Sequence, residues 1–287
     1  MEEKWDTVIR PREKLLSVDF GEIWRYRDLC RLFVRRNIVT SYKQTVLGPL
    51  WFLIQPCLTV IMYMIVFGGI AGIPTDGVPQ PLFYLGGMCL WQYFSGCLGS
   101  TSNTFVGNAG IFSKVYFPRL VMPVADVISN LLKFGIQLLL FAAVYVYYMC
   151  SGVHIAPNLF ALLFPVLVLI TAGLALGFGI LISSLTTKYH DLQILFSFFL
   201  QLWMYATPIV YPLSQVGDKE YLGIKLHTLM SINPVTPVIE TFKYGFLNAG
   251  EFIGWGWLAY SFAFMVVLLA IGIVIFNKVQ KSFMDTV

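Results

Sequence analysis

The chain has 287 residues, of which 57% are hydrophobic and only 12% charged, with a mean hydropathy of +0.74. Soluble domains carry about 25% charged residues, so this composition excludes an ordinary soluble enzyme and indicates an all-α polytopic membrane protein. The net charge of +4 gathers at the N-terminus and in particular loops, which argues against nucleic-acid binding and fits topology control by cytoplasmic Lys and Arg.

Residues 1–22 are polar and read as a cytoplasmic arm, without the apolar core of a cleavable signal. From Ile23 a helical period appears, with Ile23, Tyr26, Cys30, Phe33 and Val34 on one face. Arg25, Asp28, Arg31, Arg35 and Arg36 share the opposite face, and Leu32 is a misfit among them. This predicts an amphipathic helix on the membrane surface, joined to the membrane domain within 23–47. The polar stretch Ser41–Gln44 then meets Gly48-Pro49, a chain-breaking pair with Pro at the first position of a new helix. Trp51 follows, suited to the headgroup boundary. The joint reads as a tight corner through which the surface helix pushes the first span.

The membrane domain is expected over 48–276, with six spans at about 50–70, 82–106, 127–148, 159–182, 193–211 and 252–276. The second span is rich in small and polar residues and should face other helices or an aqueous path. In the third, Asp126, Asn130, Lys133 and Gln137 recur at steps of four, three and four, on one helical face. In the fourth, Gly173, Gly177 and Gly179 allow close packing. Between the last two spans, 222–250 reads as two short amphipathic helices split by Asn233-Pro234, a re-entrant pair on the outer side. Residues 277–287 form a cytoplasmic tail. Lys and Arg counts place both termini inside, although Lys219, Lys225 and Lys243 fall in the outer segment.

The chain lacks a GxxxxGK[ST] loop, HExxH, GxSxG and an acidic metal cluster. The cysteines Cys30, Cys57, Cys89, Cys97 and Cys150 show no ligand spacing and read as small hydrophobes. No energy source is evident, so a conduit driven from outside is the economical inference. Places for a cytoplasmic partner to push are the surface helix with Arg31, Arg35 and Arg36, the joint with Tyr42 and Lys43, the turn with Lys114 and Arg119, and the turn with Lys188 and Asp191. As plain loops these would serve only as topology anchors. Aromatic residues Trp91, Tyr93, Phe94, Phe196, Phe199, Trp203 and Tyr205, with polar Asn103, Asn130 and Lys133, are the substrate-path candidates, since rings can stack on sugars; lipid-facing packing is the alternative for each.

Several long motifs in order resemble the polysaccharide-exporting ABC-2 permeases, especially the O-antigen exporters: Tyr42-Lys-Gln-Thr-Val-Leu-Gly-Pro-Leu-Trp51, Lys114-Val-Tyr-Phe-Pro-Arg119, Ala206-Thr-Pro-Ile-Val-Tyr-Pro212 and Asn233-Pro-Val-Thr-Pro-Val-Ile-Glu240. The resemblance implies a homodimer of six-span subunits in the bacterial inner membrane, with two separate ATP-binding cassette subunits. It implies that ATP and Mg are used by those ATPases, that this chain holds no cofactor and is not itself an enzyme, and that polyprenyl-diphosphate-linked polysaccharide is moved. It further implies that Arg25–Thr40 and Asn108–Arg119 contact the ATPases. Gln280 stands where relatives commonly have an acidic residue, and His190 where a basic one is usual. Alternatives are a permease for teichoic acid, capsule or another lipid or drug, or a membrane enzyme on polyprenyl-linked sugars using Asp126, Asp191, Glu240 or Glu251.

Overall fold

Glycine and proline divide the chain into helices, and which faces they bury decides where each helix sits. The structure, a computed structural model, describes residues 20–43, 47–112, 114–115, 117–187, 191–216, 220–221 and 223–283. A short helix α1 (Phe20–Arg25) leads into α2 (Arg27–Tyr42), which lies along one end of α6 (Val121–Cys150). Phe33 of α2 is buried against the ring of Phe117, 5.6 Å between centroids, in a small core with Phe105, Phe112 and Phe276. Gly48 adopts a φ of +51°, which costs glycine little and other residues much. A 3₁₀ turn over Gly48–Leu50 then opens α3 (Trp51–Tyr63), which widens into a π-helical stretch, Met64–Ile70.

At the centre of the bundle is α4 (Gln80–Ser102), packed against α3, α6, α7 (Phe164–Thr186) and α10 (Thr236–Leu247). Sixteen of its residues are buried, so its small and polar positions meet other helices, as expected. Asn103 interrupts the helix and α5 (Thr104–Phe112) continues from it, so the expected second span ends short of 106. Helices α4 and α6 run antiparallel, with Ser100 beside Asn130, Gln92 beside Gln137 and Gly86 near Phe141. On the other flank, α7 packs against α11 (Trp255–Phe283) through its glycines; a Cβ at Gly177 would stand 2.9 Å from Leu268 Cγ. The remaining elements are α8 (Asp191–Tyr205), a two-residue hairpin of Glu220–Tyr221 and Ile224–Lys225, and α9 (Leu226–Ser231).

Among the described residues, four helical segments are long and apolar enough to cross a membrane: Gly48–Ile70, Val121–Cys150, Leu159–Thr186 and Trp255–Gln280. The chain is therefore a multi-pass helical membrane protein. The other two expected spans correspond to α4, which mixes Gln92, Ser95, Ser100, Thr101 and Ser102 into its length, and α8, which has only 15 residues.

Of the two short helices expected over 222–250, α10 buries its polar face as well as its apolar one. Its polar residues Thr236, Glu240, Thr241 and Lys243 are as buried as Val238, Ile239 and Phe242. It is inserted between α4 and the 3₁₀ turn Leu159–Leu163, where Gly245 lets the two backbones touch. Glu240 and Lys243 neutralise one another within the helix, so its polar face needs no water.

Candidate functional site

Two polar clusters join elements far apart in sequence, one at each end of α4. At the α2 end, Asn37 Nδ2 donates to Asp126 Oδ1 at 2.7 Å and lies 3.4 Å from Ser129 Oγ. Arg36 sits above the Phe33 ring, 5.1 Å from its centroid, and donates to Asn37 Oδ1 at 3.2 Å and to Asn108 Oδ1 at 3.4 Å. One turn along α6, Asn130 Nδ2 donates to Ser100 Oγ of α4 at 2.9 Å and to the Asp126 carbonyl at 2.8 Å. Farther along, the side-chain amides of Gln137 and Gln92 are hydrogen-bonded. The polar face of α6 is thus filled by α2 and α4 in turn, and Lys133 stands 5.8 Å from the Phe52 ring. Hydrogen bonds thus join α2 to α6 and α6 to α4. This path runs beside the Gly48-Pro49 joint, which therefore is not the only connection between surface helix and span.

The other coupling candidates are divided by exposure. Arg31, Arg35, Lys43, Lys114 and Asp191 are exposed, and the Arg31–Asp28 pair at 3.5 Å is a surface contact of little energetic weight. Arg119 is buried, stacked 5.2 Å from the Phe112 centroid, and donates to the main-chain carbonyl of Gln280 at 3.2 Å. Burial pushes its guanidinium down from the ordinary value. Because Gln280 takes part through its backbone, this contact does not depend on the side chain at that position. Lys188, His190 and the Tyr42 side chain lie outside the described residues.

At the opposite end of α4, the chain leaves α8 through an elbow, 206–212. Asn233 ties α8 to the elbow, accepting from Trp203 Nε1 of α8 at 3.0 Å and donating to Thr207 Oγ1 of the elbow at 2.8 Å. Lys243 Nζ donates to the Pro208 carbonyl at 2.8 Å and pairs with Glu240 at 2.5 Å. On the far side of the elbow, a Cβ at Gly87 would stand 3.1 Å from the Ile209 carbonyl oxygen, so glycine lets α4 come this close without the elbow giving way. The motifs at 206–212 and 233–240 are therefore one packed unit.

The aromatic candidates are also divided. Trp91, Tyr93 and Phe94 are buried in the core, where Tyr93 stacks on Phe134 at 5.0 Å and Trp203 packs edge-on to Phe94 at 5.2 Å. A sugar does not reach them in this arrangement, because none of the three is more than 5% exposed. Phe199 and Tyr205 are about half exposed, at 52% and 49%, and Phe196 is partly buried. Phe196 and Phe199 border an apolar groove of about 430 Å³ with Ile182 and Leu195. Asn103 accepts from Gln193 Nε2 at 3.4 Å, and Asn130 is spent on helix contacts. Sequence reasoning missed Asn37, Asn108, Asn233 and Lys243 as structural links. For Lys243 a signal existed, since Pro212 has no N–H to offer the carbonyl of Pro208 four residues earlier.

The sequence pattern of the ABC-2 type transporter family matches residues 28–247, from the surface helix through α10. An O-antigen export system permease protein, RfbA, of Myxococcus xanthus is 29% identical over 223 residues, covering 77% of this chain and 81% of that one. An RfbA of Klebsiella pneumoniae is 25% identical over 259 residues, covering 90% and 94%. The polysialic acid transport protein KpsM of Escherichia coli is 23% identical over 259 residues, covering 88% and 93%. With the matched region holding both polar clusters and most of the helical bundle, the chain belongs to the ABC-2 type transporter family.

Proposed function

We propose that this chain is the permease subunit of an ATP-driven exporter that moves a lipid-linked polysaccharide, of the O-antigen class, across the bacterial inner membrane. The observation that supports it most directly is the likeness to O-antigen export permeases along 90% of the chain. The polysialic acid transporter among the relatives favours a polysaccharide over a drug as the cargo.

In this reading two copies assemble with two ATPase subunits, which supply ATP and Mg chemistry. The permease has six spans with both termini cytoplasmic, α4 and α8 completing the four long apolar helices. The ATPases bear on exposed Arg31, Arg35 and Lys114, and closure of their dimer moves α2. The hydrogen bonds of Asn37 and Asn130 pass that movement through α6 to α4. Phe196, Phe199 and Tyr205 on α8 are the residues best placed for sugar stacking. The polyprenyl-diphosphate anchor fixes the end of the chain that starts the passage.

The test is complementation. In a strain lacking its own O-antigen permease, co-expression of this chain with its ATPase should restore surface polysaccharide. A chain that accumulates in the membrane, binds the ATPase and leaves the surface bare refutes the assignment.

A further inference from the structure

Helix α10 holds a charged pair that packing alone does not require. Glu240 and Lys243 have side chains 5% and 1% exposed, in contact at 2.5 Å. Such a pair gives up the hydration of both ions, and an apolar pair of like volume is commonly as stable. The ammonium group has two more partners: the Pro208 carbonyl at 2.8 Å, and the face of Phe83 on α4, whose centroid is 4.4 Å away. It thus touches three elements at one point.

The need for a cation arises from the elbow. Pro208 follows the end of α8, and the residue whose N–H would bond its carbonyl in a helix is Pro212, which has none. A carbonyl buried at this depth needs a donor from elsewhere. Glycine at 87 admits the elbow to α4 and forbids a side chain from that direction. The ε-ammonium of Lys243 reaches the carbonyl from α10, and Glu240 is the counter-ion that makes a buried ammonium tolerable.

We infer that Lys243 is a positioning residue, which fastens the elbow after α8 to α10 so that both move as one piece. The elbow also contributes Tyr211 to the wall of a hollow of about 300 Å³, with Gly72, Pro74 and Gln215. Motion of the aromatic helix α8 and reshaping of this hollow are then one event. The proposal rests on the exporter reading for its consequence in transport, while the fastening itself is independent of that reading.

The test uses the assembled transporter in lipid nanodiscs and in vesicles. The paired variant Glu240→Met with Lys243→Met removes both charges and keeps the volume, so it should accumulate and bind the ATPase as the parent does. Amide exchange over 206–211 should quicken about tenfold, and polysaccharide moved per ATP should fall about tenfold, the size of one charge-assisted hydrogen bond. Unchanged exchange over 206–211 overturns the fastening. The reversed variant, Glu240→Lys with Lys243→Glu, keeps the ion pair and turns a carboxylate toward Pro208. Parental exchange and export in it also overturn the proposal, since the pair alone would then suffice; rapid exchange supports it. If the parent transporter moves no polysaccharide, the exporter reading fails, and the exchange measurements still decide the role of Lys243.

Discussion

The link between α2 and α6 is testable by a double-mutant cycle. At 2.7 Å, the bond from Asn37 to Asp126 is in the short range of N–H donors on carboxylates. A hydrogen bond to a charged group contributes about 1.5–3 kcal/mol. Its removal should therefore lower the ratio of locked to unlocked α2 by about 10- to 150-fold. Asn37→Ala leaves the helix propensity of α2 no worse, so the defect should appear in coupling rather than in accumulation. The assay is polysaccharide moved per ATP hydrolysed, in vesicles carrying the permease with its ATPase, for Asn37→Ala, Asp126→Ala and the double variant. Each single variant should continue to hydrolyse ATP and lose most export. The double variant should be no worse than the poorer single, so the coupling energy should equal the bond's own contribution, about 1.5–3 kcal/mol. Losses that multiply in the double variant, or a parental ratio in Asn37→Ala, would refute transmission through this bond.

Three other outcomes follow from the same geometry. Inserting three glycines after Leu47 should leave most export in place, because α2 remains bonded to the flank of α6; loss of export per ATP would return the load to the Gly48-Pro49 corner. Gly87→Ala should lower thermal stability by about 1–3 kcal/mol, since its Cβ would press on the Ile209 backbone, whereas Gly99→Ala, with nothing within 4 Å, should leave it unchanged or raised. Arg119→Leu should cost about 1.5–3 kcal/mol in unfolding measurements, while Gln280→Glu should shift stability by less than about 0.5 kcal/mol, because the tail accepts from Arg119 through its main chain.

Local physics made much of this architecture legible. The corner at Gly48-Pro49, the glycines of α7 and the split at Asn233-Pro234 follow from backbone rules that act within a few residues. The 126–130–133–137 face of α6 announced that it would meet something polar, yet nothing local named Asn37, 89 residues away. The hidden part is the pairing of polar groups across long separations, because many partners satisfy one donor equally well. The two short helices expected over 222–250 are present, while the closure of α10's polar face was hidden for a related reason. An ion pair three residues apart cancels within its own turn, and the sequence does not say what covers it. The aromatics of α4 and α8 look alike in sequence, and only the crowding around α4 separates the buried Phe94 from the accessible Phe199.

The division of labour between α6 and α8 has an evolutionary consequence. The residues that tie α6 to its neighbours are turned inward and constrain one another, so a change in one demands a change in its partner. The outer side of α8, with Ile194, Leu195, Phe198, Phe199 and Leu202 exposed, is under no such mutual constraint within the subunit. On the proposed reading, in which α8 meets the cargo, preference can drift, or be exchanged by grafting 191–205 from a relative, while the ties of α6 are inherited unchanged. A transporter built this way can follow the rapid diversification of surface sugars without reinventing how it is powered.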